Sequence, residues 1–323
     1  MDHFRRSARN CFVAPVDRLT ERRRDEGWIA DRLADLASRF VVVWRDKFLL
    51  AEALGSGDPR AALLSRRELG GCLLSEPGPV VLLGQMDGRV VFAVGLREEG
   101  DAPPAELAGR GEFHSLRRAG ALLAQREGAL LAYAKAMVHW HRHHSYCGAC
   151  GSPTESVEGG HLRVCTHPDC GQYHFPRTDP AIIVLVTSGG RCLLGRQPRW
   201  PAGMYATIAG FVEPGESLEA AVAREVMEET GVPVREVIYQ SSQPWPFPRS
   251  IMLGFRAMAA GEQITLGDGE LEDARWFTRQ EIVRGLGDGW LRLPSAVSIS
   301  YRLIEDWFDG GGAGRLSEVL AAA

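Results

Sequence analysis

No stretch of this 323-residue chain approaches 18 consecutive apolar residues, which argues against a membrane-spanning helix. The N-terminus lacks the apolar core of a secretory signal, and the closing Ala321, Ala322 and Ala323 are not a receptor-read organelle address. A soluble, cytoplasmic protein with no membrane partner is the expectation. An excess of one charge is also missing. With 37 Lys and Arg against 41 Asp and Glu the net charge is −4, so nothing global favours a nucleic-acid backbone. The basic residues that do cluster, Arg5, Arg6, Arg9, Arg18, Arg22, Arg23 and Arg24, read as a solvated, partly disordered terminus. Internal repeats are absent, which sets aside solenoids and propellers. What is present is a 45% hydrophobic composition over a length that supports two or three buried cores.

Apolar patterning divides the chain further. Residues 28–53 and 79–97 read as β structure, and Asp87-Gly88 between two apolar runs signals a hairpin. Residues 59–79 read as loop with a short helix. From Leu116 to His143 the period turns helical through Leu122, Leu123, Leu130, Leu131, Ala134, Met137 and Val138. Later come strands at 181–186 and 191–194 around a Gly189-Gly190 turn, strands near 236–240 and 250–257, and a helix over 295–308. Gly310, Gly311 and Gly312 then start what reads as a flexible tail.

Four of the seven cysteines cluster. Cys147-x2-Cys150 and Cys165-x4-Cys170 are separated by fourteen residues, each pair in a turn containing Gly or Pro. Two such knuckles bring four thiolates around a tetrahedral Zn²⁺, and a closed four-cysteine shell leaves no open position for water, so the metal is structural. In a reducing compartment disulfides are the poorer use. His167 competes as a ligand only if a cysteine is displaced. His139, His141, His143 and His144 read as the polar end of a helix, and Cys11, Cys72 and Cys192 as unpaired thiols.

The densest chemistry lies in residues 210–232, GFVEPGESLEAAVAREVMEETGV. Ser217 can cap a helix beginning at Leu218, and Gly231 can end it in the left-handed region. Ala220, Ala221, Val222, Ala223, Val226 and Met227 favour packing. Glu225, Glu228 and Glu229 fall at i, i+3 and i+4 on one face, where like charges repel by some tenths of a kcal/mol per pair. A hard cation such as Mg²⁺ or Mn²⁺ reverses that cost and bridges carboxylates to phosphate. Glu216, eight residues before Arg224, is spaced for an ion pair that clamps the preceding loop to the helix. Together Glu216, Arg224, Glu225, Glu228 and Glu229 form the candidate catalytic set.

Residues 242–250, SQPWPFPRS, hold three prolines and two aromatics, a rigid segment whose Trp245 and Phe247 offer flat faces to a base or pyridine ring. The same aromatics would equally serve as core.

The run G-x5-E-x7-R-E-U-x-E-E-x-G-U matches the Nudix box without a departure. A cysteine knuckle pair, then this box, then SQPWPFP-x-S resembles the NADH pyrophosphatase family of Nudix hydrolases over residues 113–308. The resemblance implies an α-β-α sandwich with a zinc ribbon and a mixed, mainly β N-terminal domain. It also implies hydrolysis of NAD(H) to AMP and nicotinamide mononucleotide, removal of NAD caps from RNA, and a homodimer. It assigns Glu225 and Glu229 to Mg²⁺ or Mn²⁺ with Glu228 beside them, adds the Ala209 carbonyl, and adds Glu270 six residues before Trp276. Phe175, Phe211, Arg117 or its neighbour Arg118, and the segment Gln243, Pro244, Trp245, Pro246, Phe247, Pro248, Arg249 and Ser250 fall on the substrate. Glu228 is the expected proton acceptor. The resulting layout is an N-terminal NADH-pyrophosphatase-like domain over 1–112, a linking helix over 113–145, a zinc ribbon over 146–176, a Nudix domain over 177–308 and a tail over 309–323. No motif anchors the first 110 residues. A zinc-ribbon nucleic-acid module on an inert Nudix fold is the contrasting reading.

Overall fold

The computed structural model describes residues 2–14, 16–52, 54–55, 59–73, 78–97, 102–267, 269–312 and 314–322. They form two compact units, one of residues 1–11, 179–244 and 250–323, the other of residues 12–178 and 245–249. The chain opens with a short helix α1 (Asp2–Ser7) in the first of these.

The unit containing residues 12–178 starts with α2 (Glu26–Ala34), β1 (Arg39–Trp44), β2 (Lys47–Leu50), α3 (Arg66–Leu69), β3 (Val80–Met86), β4 (Arg89–Gly95) and β5 (Glu112–Ser115). Its sheet runs β3-β4-β1-β2-β5, with β1 parallel to β4 and the other pairs antiparallel. The hairpin at Asp87-Gly88 forms as expected, both residues having positive φ, 50° and 75°. The strand expected from residue 28 is instead helical at its start. Asp25 caps α2 by accepting from the Trp28 amide at 2.9 Å, and Trp28, Ile29 and Leu33, at helical spacing, pack on the core of Phe40, Val42, Phe92 and Val94.

The helix expected over 116–143 is broken into α4 (Leu116–Ala119) and α5 (Gln125–His143). The break falls at Gly120, where a Cβ would stand 2.7 Å from both the Leu116 carbonyl and the Phe12 ring. Helix α5 lies against β1, β3 and β4 and buries Leu130, Leu131, Ala134, Met137, Val138 and Trp140. A second, three-stranded sheet follows from β6 (Thr154–Val157), β7 (Leu162–Cys165) and β8 (Tyr173–His174).

The other unit is built on β9 (Asp179–Ser188), β10 (Arg191–Arg196), β11 (Ile208–Phe211), α6 (Leu218–Thr230), β12 (Val234–Trp245), β13 (Ser250–Ala259), β14 (Asp273–Phe277), α7 (Arg279–Gly287), α8 (Ile299–Asp309) and α9 (Leu316–Ala322). The sheet order is β12-β13-β9-β10-β14, with β11 also paired to β9. Strand β9 is apolar on both faces because both are covered. Ile182, Val184 and Val186 share a core with Ala221, Val222 and Val226 of α6, whereas Ile183 and Leu185 share one with Ile299, Leu303, Ile304 and Phe308 of α8. The result is an α-β-α sandwich.

Both chain ends depart from expectation. Arg9 is held by Glu305 at 2.8 Å and Asp306 at 2.7 Å, and Asn10 is buried, donating to Ser241 Oγ and the Ser242 carbonyl. Arg9 is therefore tethered while its side chain stays half exposed, and Arg5, Arg18, Arg22 and Arg24 are exposed as expected of a solvated cluster. Beyond the glycines, the expected flexible tail forms α9, seated by the fully buried Leu316. No helix among the described residues is long and apolar enough to cross a membrane.

Candidate functional site

The loop and helix of the box form as their residues dictate. Ser217 accepts from the Ala220 amide at 3.2 Å to start α6, and Gly231 ends it at φ 68° while donating to the Met227 carbonyl. One side of the helix packs through Ala221, Val222 and Val226; Ala220 and Met227, expected there too, face outward. The three carboxylates are graded rather than equivalent. Glu229 is 2% exposed, Glu225 has 14% of its side chain exposed, and Glu228 has 50%.

Arg224 organises them. It grips Glu216 with two bonds of 2.9 Å, reaches Glu225 Oε1 at 3.0 Å and Glu228 Oε2 at 2.9 Å, and donates to the Phe211 carbonyl at 2.9 Å. The two bonds to Glu216 are the expected clamp, and they hold its carboxyl below the ordinary carboxylate value. Glu225 moves the other way. Burial lifts its pKa despite Arg224, and Glu228 and Glu270 add to the lift.

The first glycine of the box has a physical role. A Cβ on Gly210 would stand 1.9 Å from Glu225 Cδ and 2.0 and 2.2 Å from its oxygens. Only glycine lets the carboxylate lie against the backbone of β11, beside Ala209, whose register partner is Ile183 on β9. Glu270 is exposed just before β14 and is among the groups that raise the Glu225 pKa. Its neighbours are engaged elsewhere, Glu272 with Arg196 and Asp273 with Tyr205 and Arg275. Oxygen donors on a desolvated acidic face suit a hard divalent cation.

Segment 242–250 is divided. Gln243, expected to face substrate, is wholly buried and donates to the Cys11 and Val297 carbonyls while accepting from the Ile299 amide at the start of α8. Residues 245–249 belong with residues 12–178. There the Arg117 guanidinium lies 4.2 Å from the Phe247 ring centre and 5.5 Å from that of Trp245, and the two rings meet edge-on at 4.9 Å. Burial lowers the Arg117 pKa. Pro246 is buried, Pro244 and Pro248 are exposed, Arg249 is half-buried, and Ser250 begins β13 opposite Asp179. Phe175 and Phe211 are each 61% exposed.

The four cysteines converge, their sulfur atoms within 4.8 Å of one another. Cys147 and Cys170 are 3.8 Å apart and Cys150 and Cys165 3.4 Å, close to the roughly 3.8 Å edge that 2.3 Å zinc–sulfur bonds give a tetrahedron. Gly151 and Gly171 turn the knuckles at φ 77° and 55°. Among the described residues no other group of three or more His, Cys, Asp or Glu has its ligand atoms drawn this close together, the box carboxylates included. Hydrogen bonds from the Ser152 backbone and hydroxyl bring the Cys150 thiol down to about 6, whereas burial takes Cys165 up to about 12. His174, which spacing did not single out, brings Nε2 to 3.3 Å from Cys147 Sγ.

Residues 37–140 match the NADH pyrophosphatase-like rudimentary NUDIX domain, residues 142–175 the NADH pyrophosphatase zinc ribbon domain, and residues 176–296 the NUDIX domain. The chain is 43% identical to the NAD-capped RNA hydrolase NudC of Stutzerimonas stutzeri over 82% of its own length and 87% of that protein. The chain belongs to the NADH pyrophosphatase family of Nudix hydrolases. The NAD-capped RNA hydrolase NudC of Mycobacterium bovis is 40% identical over 79% of this chain and 88% of its own. The NAD-capped RNA hydrolase NUDT12 of Macaca fascicularis is 43% identical, but the match spans 57% of this chain and only 42% of that relative.

Family membership also accounts for the motif-free N-terminal region, whose five-stranded sheet lies largely within the rudimentary NUDIX match. Next to that region the expectation for His141 fails, since it does not belong to the polar helix end, and His161 was not singled out by its spacing. His141 is buried, with Nε2 2.8 Å from the Gly160 carbonyl and Nδ1 2.9 Å from Arg163, while His161 Nε2 lies 2.7 Å from the Leu82 carbonyl. Burial lowers each to about 4, so both are neutral at physiological pH and join the three-stranded sheet to its neighbours as hydrogen-bonding core residues. His143 and His144 do form the expected polar helix end, bonding the His139 and Trp140 carbonyls.

Proposed function

We propose that this chain hydrolyses the pyrophosphate of NAD(H) to AMP and nicotinamide mononucleotide. The observation that carries the reading is the seating of the Glu225 carboxylate against Gly210, one residue from the Ala209 carbonyl, in a member of this family. Glu225, Glu229, Glu270 and the Ala209 carbonyl would hold Mg²⁺ or Mn²⁺, which when bound neutralises pyrophosphate charge and activates water. The protein's own residues do the rest. Glu216 and Arg224 fix the loop and aim Glu225, and Glu228, half exposed, takes the proton of the attacking water. Phe211, Phe175, Arg117 and residues 244–250 are assigned to substrate through the family resemblance, and Gln243 is assigned to positioning. The zinc ribbon stabilises. A homodimer and a cytoplasmic setting belong to the same proposal.

A second substrate is favoured by the names of the relatives: the same chemistry applied to the NAD cap of an RNA. Comparing kcat/KM on NADH and on NAD-capped RNA at several salt concentrations separates the two. Glu228→Gln and Glu229→Gln should each lower turnover by orders of magnitude with the fold intact; wild-type rates in either would end the assignment. Metal-dependent release of AMP from NADH excludes an inert binding module, and ¹⁸O water marks the phosphorus attacked.

A further inference from the structure

A cleft of about 260 Å³ lies away from the box carboxylates, lined by Arg275, Trp276, Phe277, Glu281, Arg284 and Trp290. Trp290 is 43% exposed, a large aromatic left open to water. It is not loosely placed. A Cβ on Gly285 would stand 2.7 Å from the indole Cζ2, and one on Gly203 would stand 2.1 Å from the Trp290 carbonyl, so two glycines let the residue lie pressed between α7 and the loop before β11. Phe277 backs it, ring centres 6.4 Å apart and planes 24° from parallel. The cleft therefore combines a rigid indole, an aromatic base beneath it and two guanidinium groups. Arg275 is already paired with Asp273, and the Thr278 amide and hydroxyl, donating to Glu281 at 2.8 Å, keep that carboxylate ionised near Arg284, so Arg284 is the guanidinium left to meet a phosphate and the indole is the main element of the cleft.

A fixed aromatic face beside arginines is the chemistry that holds single-stranded nucleic acid, the ring stacking on a base and the guanidinium on the flanking phosphate. The volume falls below the roughly 300–1,000 Å³ of sites for drug-sized ligands, which suits one base rather than a dinucleotide. Arg275 follows Glu270 by five residues, at most about 17 Å of chain at the extended rise, so the cleft is within reach of an oligonucleotide whose 5′ end lies at the metal site. We propose that this cleft stacks one base of single-stranded RNA downstream of the cap. The inference rests on the capped-RNA reading.

Three proteins decide it: wild type, Trp290→Ala and Arg284→Ala, the last an exposed change that leaves the core untouched. Binding of an uncapped single-stranded RNA is measured by fluorescence anisotropy against salt, and turnover is measured separately on free NADH and on NAD-capped RNA. Trp290→Ala should weaken RNA binding roughly five- to 150-fold and raise KM for capped RNA in step, with NADH turnover unchanged. Arg284→Ala should flatten the salt dependence by about 0.7 in log–log slope. Equal RNA affinity in all three proteins overturns the site, whether or not the wild type removes caps. Equal losses on NADH and capped RNA also overturn it, since the residues would then serve the fold. Should the uncapped RNA bind through the cleft while the wild type leaves caps in place, the site stands and the decapping reading falls.

Discussion

Replacing Gly210 by Ala tests whether the placement of Glu225 governs the site. The new methyl would stand 1.9 Å from Glu225 Cδ, and ordinary contact begins at 3.4 Å, so the carboxylate must retreat by about 1.5 Å. Misplacing a catalytic group by about 1 Å costs on the order of a hundredfold. We expect Gly210→Ala to lower NADH hydrolysis by at least about that factor and to shift the Mg²⁺ or Mn²⁺ midpoint to higher concentration. Overpacking costs roughly 1–3 kcal/mol when the neighbour cannot move, and less here because a glutamate can swing away. A double-mutant cycle isolates the contact. In a Glu225→Ala background the methyl at 210 meets no carboxylate, so its cost measured in urea should fall within about 0.5 kcal/mol of zero. Undiminished turnover in Gly210→Ala, or an equal stability cost in both backgrounds, refutes the reasoning.

Cys150→Ser should drop bound zinc from one to none per chain by metal analysis and lower the melting temperature; a retained full equivalent would count against the four-cysteine site. His141 and His161 should make the protein acid-labile. Their folded pKa values, about 4, lie below the ordinary 6.5, so the unfolded chain binds more protons, and the stability they permit is full above about pH 6.5 and is lost as pH falls toward 4. Each contributes roughly 3 kcal/mol at the limit, and a urea midpoint unchanged from pH 7 to 4.5 would contradict both. Gln243→Ala strands the Cys11 and Val297 carbonyls and the Ile299 amide, so it should cost about 2–4 kcal/mol in urea, with a loss under 0.5 kcal/mol as the contrary result.

What the sequence made legible was written in local spacing. Ser217 and Gly231 bracket α6, and Cys147, Cys150, Cys165 and Cys170 meet, because caps and knuckles depend on residues a few positions apart. The misreadings share the opposite cause. Helix α2 looked like strand because Trp28 and Ile29 are β-prone side chains, while the Asp25 cap that decides the matter is a single polar residue. Helix α9 lay hidden behind three glycines, yet Leu316 finds a core to enter. His141, His161 and His174 each act through partners 19 to 79 residues away that no pattern announces: Gly160, Leu82 and the Cys147 end of the knuckle. The Trp290 cleft is the same kind of feature, assembled by glycines 5 and 87 positions distant.

The box itself shows how far a local pattern reaches and where packing takes over. Three carboxylates on one helix face predict mutual repulsion that a cation relieves, but the folded chain separates that task into two. Arg224 bonds Glu216, Glu225 and Glu228, so part of the repulsion is offset by a residue inside the motif before any metal is considered. Arg224 does not offset desolvation: Glu225 keeps a raised pKa while in contact with a guanidinium, because burial is the larger influence. A raised folded pKa means that this group favours folding below about pH 4.5 and loses that contribution as pH rises through its folded value. At neutral pH the ionised Glu225 is therefore held at a cost that a neutral isostere avoids. The motif's arginine serves geometry, its buried carboxylate is placed against Gly210 at the expense of stability, and a divalent cation is the partner that would offset that expense where the pyrophosphate must bind.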